Sequence, residues 1–364
     1  MKFVSEYRNA HAAKALLASI HSKARTPSRF MEFCGGHTVT VCRNGVRQAL
    51  PNVIEMLSGP GCPVCVTSVA ELDKAIALAK VPDVIIATFG DMIRVPGSTE
   101  SLERAKARGA DVRIVYSALD ALAMAEANPT KRVVFLGVGF ETTAPTIAAS
   151  ILTADERGLG NYAVFSMHKL CPPVIRALLE AGEVKLDGLI CPGHVSAVIG
   201  ANSWEFIASE FGIPCVVTGF ELLDVLQGID RLVEQVEAGR SEVEIAYTRG
   251  AQWEGNREAV RLMEEVFEPS PADWRGMGTV PGSGLRIRSR FRRFDAEHAF
   301  DINPGPPREP AGCICGDILR GTRTPLDCEL FGAGCTPEAP VGPCMVSSEG
   351  SCAAYYLYGG GDHG

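Results

Sequence analysis

The stretch "VVFLGVGFE" at residues 133–141 decides the fold class, because a short apolar run ends there in glycines and a carboxylate. A run of this length without polar alternation is typical of a strand that is buried on both faces of a parallel sheet. Helix-period segments such as "ALDALAMAEA" and "PPVIRALLEAG" separate it from similar runs, which predicts βαβ units. The similar runs are "VIIATFGD" (84–91), "VRIVYS" (112–117), "YAVFSMH" (162–168), "DGLICPGH" (187–194) and "PCVVTGFE" (214–221).

The predicted fold class is α/β, with two small doubly wound parallel-sheet domains and a C-terminal cysteine-rich iron–sulfur domain. We expect the first α/β domain over residues 1–130, where it carries the CGGH and GPGCPVC motifs, and the second over residues 131–230. The third domain, residues 231–364, contains amphipathic helices and a strand with a basic face in "PGSGLRIRSRFRRF" (281–294). A Pro/Gly-rich linker at residues 301–312 leads into a loop-rich region, which we expect to need a metal centre for stability.

The composition argues against two classes of protein. Of the 364 residues, 46% are hydrophobic and 21% are charged, and the net charge is -8. A general nucleic-acid binder would need a basic face. No apolar run reaches the roughly 18 residues that span a bilayer. The segment at residues 1–22 is amphipathic and lacks the apolar core of a secretory signal, so we expect a cytoplasmic protein with no nucleic-acid or membrane partner.

The thirteen cysteines are the most informative residues of the chain. Static disulfides are rare in the cytoplasm, so clustered cysteines favour metal ligation or redox chemistry. An isolated cysteine is more simply interpreted as a small buried hydrophobe, and Cys171 and Cys215 are interpreted in this way.

The C-terminal region holds six cysteines, which are Cys313, Cys315, Cys328, Cys335, Cys344 and Cys352. Four of them, without Cys315 and Cys344, give the spacing C-x14-C-x6-C-x16-C. A structural zinc site normally uses tight C-x-x-C knuckles, and none occurs here. A [4Fe–4S] cluster also needs four thiolates and tolerates wide spacing. The array therefore favours a cluster, with zinc as the alternative. Cys315 could replace Cys313 as the first ligand, and Cys344 could line the site.

The segment "SGPGCPVC" at residues 58–65 carries a second group of thiols, Cys62 and Cys65. A predicted helix follows directly, and Ser68 with Glu71 fits a capping box at its start. Thiols at a helix N-terminus feel its dipole, which lowers their pKa and favours the thiolate. The sequence therefore predicts a dithiol that closes and opens as a disulfide.

The segment "FMEFCGGHTVTVC" at residues 30–42 places Cys34 and His37 on either side of two glycines. Glycines let the backbone approach a ligand closely. Both Cys34 and His37 are possible metal ligands. His37 could instead be a proton donor, or could hold a metal-bound group by a hydrogen bond. The simpler alternative is a capped turn with a buried thiol.

These motifs resemble those of the HypD family of hydrogenase-maturation proteins, and the likeness runs through essentially the whole chain. The matching segments are "FMEFCGGHT", "SGPGCPVCV", "GFETTAP", "CPGHVSAVIG" and "CGDILRG…DCELFGAGCTPEAPVGPCMVSSEGSCAAYY". The resemblance implies a scaffold for assembling the Fe(CN)2CO group of [NiFe] hydrogenases. It implies a small chaperone, HypC, as partner, and a second partner, HypE, that carries a thiocyanate and donates cyanide. The finished iron fragment would pass to the hydrogenase large subunit.

The resemblance also implies a role for individual residues. Cys34 would be the thiolate that binds the iron carrying cyanide and CO, and Cys62 and Cys65 would be the redox-active pair. His37 and Thr38 would be hydrogen-bond donors near the iron. The [4Fe–4S] ligands implied by the family pattern are Cys313, Cys328, Cys335 and Cys352. The extra cysteines Cys42 and Cys315 have no assigned role.

A relay of electrons from the cluster to the dithiol sets a spatial expectation. The Cys352 region is expected near Cys62 and Cys65, through a short chain of thiol contacts. Asp91, Glu141 and His194 follow predicted strands, and they are weaker candidates for lining the same cleft.

Two other functions stay open at the level of sequence. The first is a thiol–disulfide oxidoreductase whose C-terminal metal is a structural zinc. The second is an interaction module with inert thiols. A radical enzyme that uses S-adenosylmethionine is disfavoured, because its C-x3-C-x2-C motif does not occur. The resemblance favours a redox-active assembly scaffold and leaves open whether the protein is an enzyme in the turnover sense.

Overall fold

The computed structural model describes residues 9–359, which form two parallel sheets, one antiparallel hairpin and the helices around them. The strands are β1 Ser28–Glu32, β2 Ile54–Ser58, β3 Val84–Thr88, β4 Asp111–Ile114, β5 Arg132–Gly137, β6 Tyr162–Ser166, β7 Gly188–Pro192, β8 Cys215–Thr218, β9 Val243–Ile245, β10 Phe267–Trp274 and β11 Gly278–Ile287. Short 3-10 turns cover Gly90–Arg94, Ala201–Trp204, Ser289–Phe294 and Pro325–Asp327.

The helices of the described residues vary from one turn to four turns. They are α1 Ala10–Lys23, α2 Gly35–Arg43, α3 Val46–Ala49, α4 Pro63–Val66, α5 Val69–Ala79, α6 Leu102–Ala107, α7 Ala118–Ala127, α8 Ala144–Glu156, α9 Cys171–Ala181, α10 Gly193–Ile199, α11 Glu205–Phe211, α12 Leu222–Glu237, α13 Arg257–Val266, α14 Ala296–Ala299, α15 Cys315–Leu319, α16 Pro343–Val346 and α17 Ser351–Tyr358. Between residues 9 and 359, no helix has the length and apolar character required to cross a membrane.

The two parallel sheets share one kind of strand order. The first sheet has the order β2-β1-β7-β8-β9, and the second has the order β4-β3-β5-β6. In the first sheet, β1 pairs with β2 on one side and with β7 on the other. In the second sheet, β3 pairs with β4 on one side and with β5 on the other. The strand order therefore reverses once in each sheet, as expected of doubly wound sheets. All six strands predicted from apolar runs are present and pair in parallel.

The grouping of strands into sheets does not coincide with the predicted boundary at residue 130. The first sheet combines strands from residues 28–58 with strands from residues 188–245, and the second lies between them in sequence, at residues 84–166. Local periodicity identifies a strand but does not identify its partner, which explains the difference. How the chain divides into domains stays a prediction.

Each sheet is buried on both faces, and one hydrophobic cluster is shared between the two sheets. In β1, Phe30 packs in a cluster with residues of α1 and α12. Its neighbour Met31 belongs to a cluster that also contains Ile86 of β3 and Leu136 of β5. Because successive strand residues point to opposite faces, the second cluster lies between the sheets. Cysteines of α15, α16 and α17 belong to this same cluster, so the C-terminal region packs into the shared core.

The remaining elements agree in part with the sequence. The strand predicted in residues 281–294 is present as β11 up to Ile287, where exposed Arg286 pairs with Glu268 of β10 at 2.7 Å. The rest of that segment forms a 3-10 turn instead of strand. The amphipathic N-terminal segment is helical from Ala10 onward, and its residues 1–8 lie outside the described part of the chain.

Candidate thiol-rich redox and metal site

The point where the strand order of the first sheet reverses carries a thiol and an imidazole. β1 leads into Cys34 at the start of α2, and the adjacent strand β7 leads into His194 in the first turn of α10. The Cys34 Sγ atom lies 3.9 Å from His194 Nε2. Crevices at such reversal points are where ligands bind in open α/β sheets. The structure therefore places His194, a weaker candidate from sequence, closest to the Cys34 thiol.

His37 faces a different set of atoms. Its Nε2 lies 2.8 Å from Thr218 Oγ1 and 3.0 Å from the carbonyl oxygen of Gly219, and its ring stacks on Phe220. Burial, together with the nearby His194, lowers the pKa of His37 to about 3, so the imidazole is neutral. If Nε2–H donates to the carbonyl, the unpartnered Nδ1 is left as an acceptor.

Glu32 fixes the geometry of the Cys34 loop. Its two carboxyl oxygens accept hydrogen bonds from Thr38 Oγ1 at 2.5 Å and from the Cys34 backbone N–H at 3.1 Å. Burial raises the pKa of Glu32 to about 7. Sequence reasoning missed this residue, although a carboxylate at the end of a strand, two positions before a candidate ligand, was a usable signal.

The Cys34 thiol is buried and surrounded by acidic groups. Burial raises its pKa well above the usual range, and the negative charges of Glu349 and Glu32 add to the effect. A Cβ atom on Gly35 would lie 2.3 Å from the Glu349 carbonyl oxygen, so a glycine is required for the C-terminal segment to approach. Glu349 was also missed, because no local signal connects it to a residue more than three hundred positions earlier.

The two N-terminal motifs pack directly against each other. The Gly35 N–H donates to the Gly61 carbonyl oxygen at 3.2 Å, and the Gly59 N–H donates to the Glu32 carbonyl oxygen at 2.8 Å. A Cβ atom on Gly61 would lie 2.3 Å from the backbone nitrogen of Cys34. The glycines of the second motif therefore bring Cys62 beside the Cys34 loop.

Cys62 and Cys65 form a buried and asymmetric pair. The Cys65 N–H donates to Cys62 Sγ at 3.3 Å. Burial alone would raise the pKa of Cys65, but hydrogen bonds to the Cys344 and Cys62 thiols and the positive charge of Arg275 lower it to about 5. Burial and the neighbouring Cys65 raise the pKa of Cys62. Cys65 is therefore the thiolate of the pair.

The helix that follows the dithiol starts where the sequence predicts. Ser68 caps α5, and Glu71 completes the capping box. The thiols, however, belong to the separate one-turn helix α4, for which Cys62 is the N-cap and in which Cys65 is the third residue. The lowered pKa of Cys65 comes from the neighbouring thiols Cys344 and Cys62 and from the charge of Arg275.

A chain of thiols joins this pair to the C-terminal cysteines. The Cys344 thiol forms hydrogen bonds with Cys315, Cys352 and Cys65, and its Sγ atom lies 2.6 Å from Cys315 Sγ. The contact with Cys65 forms because α16 packs against α4, and the contact with Cys352 forms because α16 packs against α17. The expected proximity of the Cys352 region to the dithiol is therefore found, with Cys344 as the connecting residue.

The six C-terminal cysteines line one small cavity. Its walls are Cys313, Cys315, Cys328, Cys335, Cys344 and Cys352, with the apolar residues Ile318, Leu330, Phe331 and Met345. Burial and the neighbouring thiols Cys315, Cys352 and Cys328 raise the pKa of Cys313 to about 12. Across residues 9–359, no three His, Cys, Asp or Glu side chains are gathered about a single metal-ion position. The donors are thus spread around a cavity and are all of the soft type that iron–sulfur clusters use.

The strand ends of the second sheet contribute carboxylates near the same thiols. Asp91, after β3, acts electrostatically on Cys65 and Glu349. Glu141, after β5, accepts a hydrogen bond from the Cys171 N–H at 2.7 Å, and burial raises its pKa to about 7. Its second oxygen is buried without a partner. Cys171 is buried as predicted, but it also lies within electrostatic reach of the Cys34 thiol.

The other isolated cysteines are packing residues. Cys215 is fully buried on β8 beside Cys191 of β7, which agrees with its interpretation as a small hydrophobe. Cys42 lies on α2, where its sulfur accepts a hydrogen bond from Arg47 Nη1 at 3.0 Å. Neither residue contributes to the chain of thiols described above.

Two facing parallel sheets bring together a thiol–imidazole pair, a buried dithiol and a cysteine-lined cavity, so the chain is an α/β protein with a thiol-rich site. The HypD family model, described as the hydrogenase formation hypA family, matches residues 11–359. The chain is 48% identical over 369 residues to the hydrogenase maturation factor HypD of Cupriavidus necator, covering 99% of this chain and 97% of that protein. It therefore belongs to the HypD family and is a hydrogenase maturation factor.

Other relatives give the same result. The chain is 47% identical over 369 residues to the hydrogenase maturation factor HypD2 of Bradyrhizobium diazoefficiens, covering 99% of this chain and 97% of the relative. It is 44% identical over 366 residues to the hydrogenase maturation factor HypD of Escherichia coli, covering 98% of each protein. The similarity extends over both sheets and the cysteine-rich region together.

Proposed function

We propose that the protein is the scaffold on which the Fe(CN)2CO group of [NiFe] hydrogenases is assembled. In this proposal it works with a HypC-type small chaperone, takes cyanide from a HypE-type thiocyanate donor, and passes the iron fragment onward to the hydrogenase large subunit. The observation that carries the proposal is the continuous chain of thiols from the cysteine-lined cavity, through Cys344, to Cys65 and Cys62 beside the Cys34 loop.

Cys34 is the proposed ligand for the iron substrate. Iron that carries cyanide and CO is low-spin and soft, and a thiolate suits it. The raised pKa of Cys34 keeps the thiol protonated in the absence of metal, so iron binding releases that proton. His194 is neutral, because burial lowers its pKa to about 4, and its Nε2 faces the thiol. The chaperone is proposed to add its own cysteine to the iron.

The dithiol is the proposed source of electrons for cyanide release. Splitting a thiocyanate into a thiolate and cyanide consumes two electrons at the S–C bond. Oxidation of Cys62 and Cys65 to a disulfide supplies two electrons and releases one proton, from the Cys62 thiol, because Cys65 is already a thiolate. The Cys65 thiolate and the protonated Cys62 match this step, because the thiolate is the reactive form of a cysteine.

The C-terminal cavity is the proposed site of a [4Fe–4S] cluster with Cys313, Cys328, Cys335 and Cys352 as ligands. Such a cluster supplies electrons one at a time. The fit is supported by a small cavity whose walls are six thiols and apolar side chains. Cys315, whose sulfur lies 2.6 Å from that of Cys344, is the alternative to Cys313 as the first ligand. The free thiols throughout the described chain suit the reducing cytoplasm as the proposed location.

Metal analysis of the anaerobically purified protein tests this proposal against the zinc-containing oxidoreductase. We expect a brown protein with iron and acid-labile sulfide in equal amounts. Replacement of Cys328 with Ser should remove both, whereas the same replacement of buried Cys215 should leave the metal content unchanged. A colourless protein with stoichiometric zinc and no iron would contradict the proposal and favour the oxidoreductase.

A further inference from the structure

We propose that Arg275 and Glu309 together set the reduction potential of the Cys62–Cys65 pair. Arg275 is a buried cation that stabilises the reduced pair, and Glu309 is a surface counter-charge that moderates its effect. This inference rests on the proposed redox role of the dithiol. It assigns a positioning role to a hairpin that belongs to neither parallel sheet.

The tip of the β10–β11 hairpin forms hydrogen bonds with the residues that follow Cys65. The Arg275 backbone N–H donates to the Val66 carbonyl oxygen at 2.9 Å, and Arg275 Nε donates to the Thr67 carbonyl oxygen at 3.2 Å. Thr67 also forms an antiparallel bridge with Trp274. The guanidinium therefore has a fixed position relative to the dithiol, with little conformational freedom.

Arg275 is buried in a way that needs an explanation. Its side chain is 2% exposed, and its Nη2 atom has no hydrogen-bond partner. A buried charge is costly unless it is paired, and an unpartnered buried donor in a native structure calls for a reason. The carboxylate of Glu309 accepts from Nη1 at 2.5 Å. The second negative charge that Arg275 acts on is the thiolate of Cys65.

The charges that surround Cys65 come from several elements. The thiols of Cys344 on α16 and of Cys62, the N-cap of α4, donate to it, and Arg275 adds a positive charge from the hairpin. Asp91 opposes these effects from the end of β3, and Glu349 is a second carboxylate nearby. Among these groups, Arg275 is the cation that acts on Cys65.

Glu309 connects this charge to the protein surface. Its side chain is 59% exposed, and it lies on the Pro/Gly-rich linker that leads into Cys313. The linker is exposed from residue 303 to residue 309. Withdrawal of Glu309 from Arg275 therefore strengthens the field that Arg275 exerts on Cys65. The ion pair couples the position of the linker to the dithiol.

The direction of the effect follows from the redox reaction. Reduction of the Cys62–Cys65 disulfide takes up two electrons, and near neutral pH one proton goes to Cys62 while Cys65 stays a thiolate. A group that stabilises the thiolate stabilises the reduced form, and so raises the reduction potential. Loss of Arg275 should lower the potential, and loss of Glu309 should raise it.

The test is a redox titration of the anaerobic full-length protein in dithiothreitol buffers, with acid trapping and mass spectrometry of the Cys62–Cys65 peptide. We expect Arg275→Gln to shift the equilibrium about tenfold toward the disulfide, which is about 30 mV. Glu309→Gln should shift it about threefold toward the dithiol. Arg275→Lys, which keeps the charge, should lie close to the unmodified chain. Glu268→Gln, at the other end of the hairpin, is the matched control and should change nothing.

An unchanged potential in folded Arg275→Gln protein would overturn the inference. If that variant does not fold, Glu309→Gln decides, and a Glu309→Gln protein with an unchanged or lower potential overturns the inference equally. The titration needs no hydrogenase. The two proposals can therefore fail separately. If the reduction potential shifts as expected but the Cys65→Ser variant still matures hydrogenase, the proposed function is contradicted and this inference is supported.

Discussion

The two parallel sheets share a strand order but carry different chemistry where that order reverses. The first sheet presents Cys34 and His194, a thiol and a neutral imidazole. The second presents Asp91 and Glu141, two carboxylates. Because the sheets pack on a shared core, both sets of side chains lie around the same group of thiols.

The strand order fixes where a site forms, while the residues of the loops decide what chemistry that site can perform. Soft ligands on the first sheet suit iron. The Glu141 carboxyl on the second sheet has a pKa near neutrality, which suits proton transfer more than metal binding. Changes on the two sheets should therefore have effects of different size and kind.

Replacement of Cys34 with Ala should have the largest effect, because it removes the thiol that faces His194 at the reversal point of the first sheet. We expect maturation of hydrogenase to fall to background in a strain that lacks the native gene, measured as hydrogen uptake. Cys42→Ala, a buried cysteine on the same helix, is the control and should retain maturation. Full activity of Cys34→Ala protein would break the assignment of iron to the first sheet.

Replacement of Cys65 with Ser should also abolish maturation but leave the metal content intact. The serine hydroxyl cannot form a disulfide, so the chain of thiols from Cys344 ends one step early. The measurement combines hydrogen uptake with iron and sulfide analysis of the purified variant. Loss of iron together with activity would show that the pair holds metal instead of transferring electrons.

Replacement of His194 and of His37 tests which histidine of the first sheet acts on the Cys34 thiol. His194→Ala should lower maturation about 10- to 100-fold, the usual cost of losing a group that positions a metal ligand. His37→Gln leaves Thr218 and Gly219 with an altered partner, so we expect a loss of stability of about 1–3 kcal/mol with a smaller effect on maturation. Chemical denaturation and hydrogen uptake separate the two effects. If His37→Gln lowered maturation more than His194→Ala, His37 would be the histidine that acts at the iron.

Replacement of Glu141 with Gln tests the second sheet and should have the smallest effect on maturation. The pKa of Glu141 is raised from 4.5 to about 7 in the folded protein. The folded state therefore binds more protons than the unfolded state between these values, and stability falls as pH rises through this window. The full shift corresponds to about 3 kcal/mol.

Glu141→Gln should accordingly flatten the dependence of stability on pH between 4.5 and 7, measured by denaturation at several pH values. Glu205→Gln, at an exposed position on α11, is the control and should keep the dependence of the unmodified chain. An unchanged slope in Glu141→Gln would show that Glu141 does not titrate in this range.

Much of the fold could be predicted from the sequence, because buried parallel strands leave uninterrupted apolar runs. β1 and β2 were missed because each carries an exposed charge at its second position. Arg29 and Glu55 pair across the two strands at 2.7 Å and interrupt the apolar pattern. The pairing of β1 with β7 joins segments far apart in sequence, and local periodicity contains no information about it.

The sequence predicted the residues of the candidate site better than the contacts between them. The motifs identified Cys34 and the dithiol, and the structure brings them together. Cys344 was regarded as a spare residue, yet it joins the dithiol to the cavity. His37 was favoured over His194 because it is close to Cys34 in sequence, whereas strand pairing decides which ring lies beside the thiol. Contacts made by tertiary packing leave no local signal.

Infrared spectroscopy of the anaerobic protein, purified together with its HypC-type chaperone, shows whether Cys34 holds iron that carries cyanide and CO. We expect absorption bands in the cyanide and CO stretching region, and these bands should disappear when Cys34 is replaced with Ala. A featureless spectrum from an anaerobic preparation that is active in maturation would contradict this expectation.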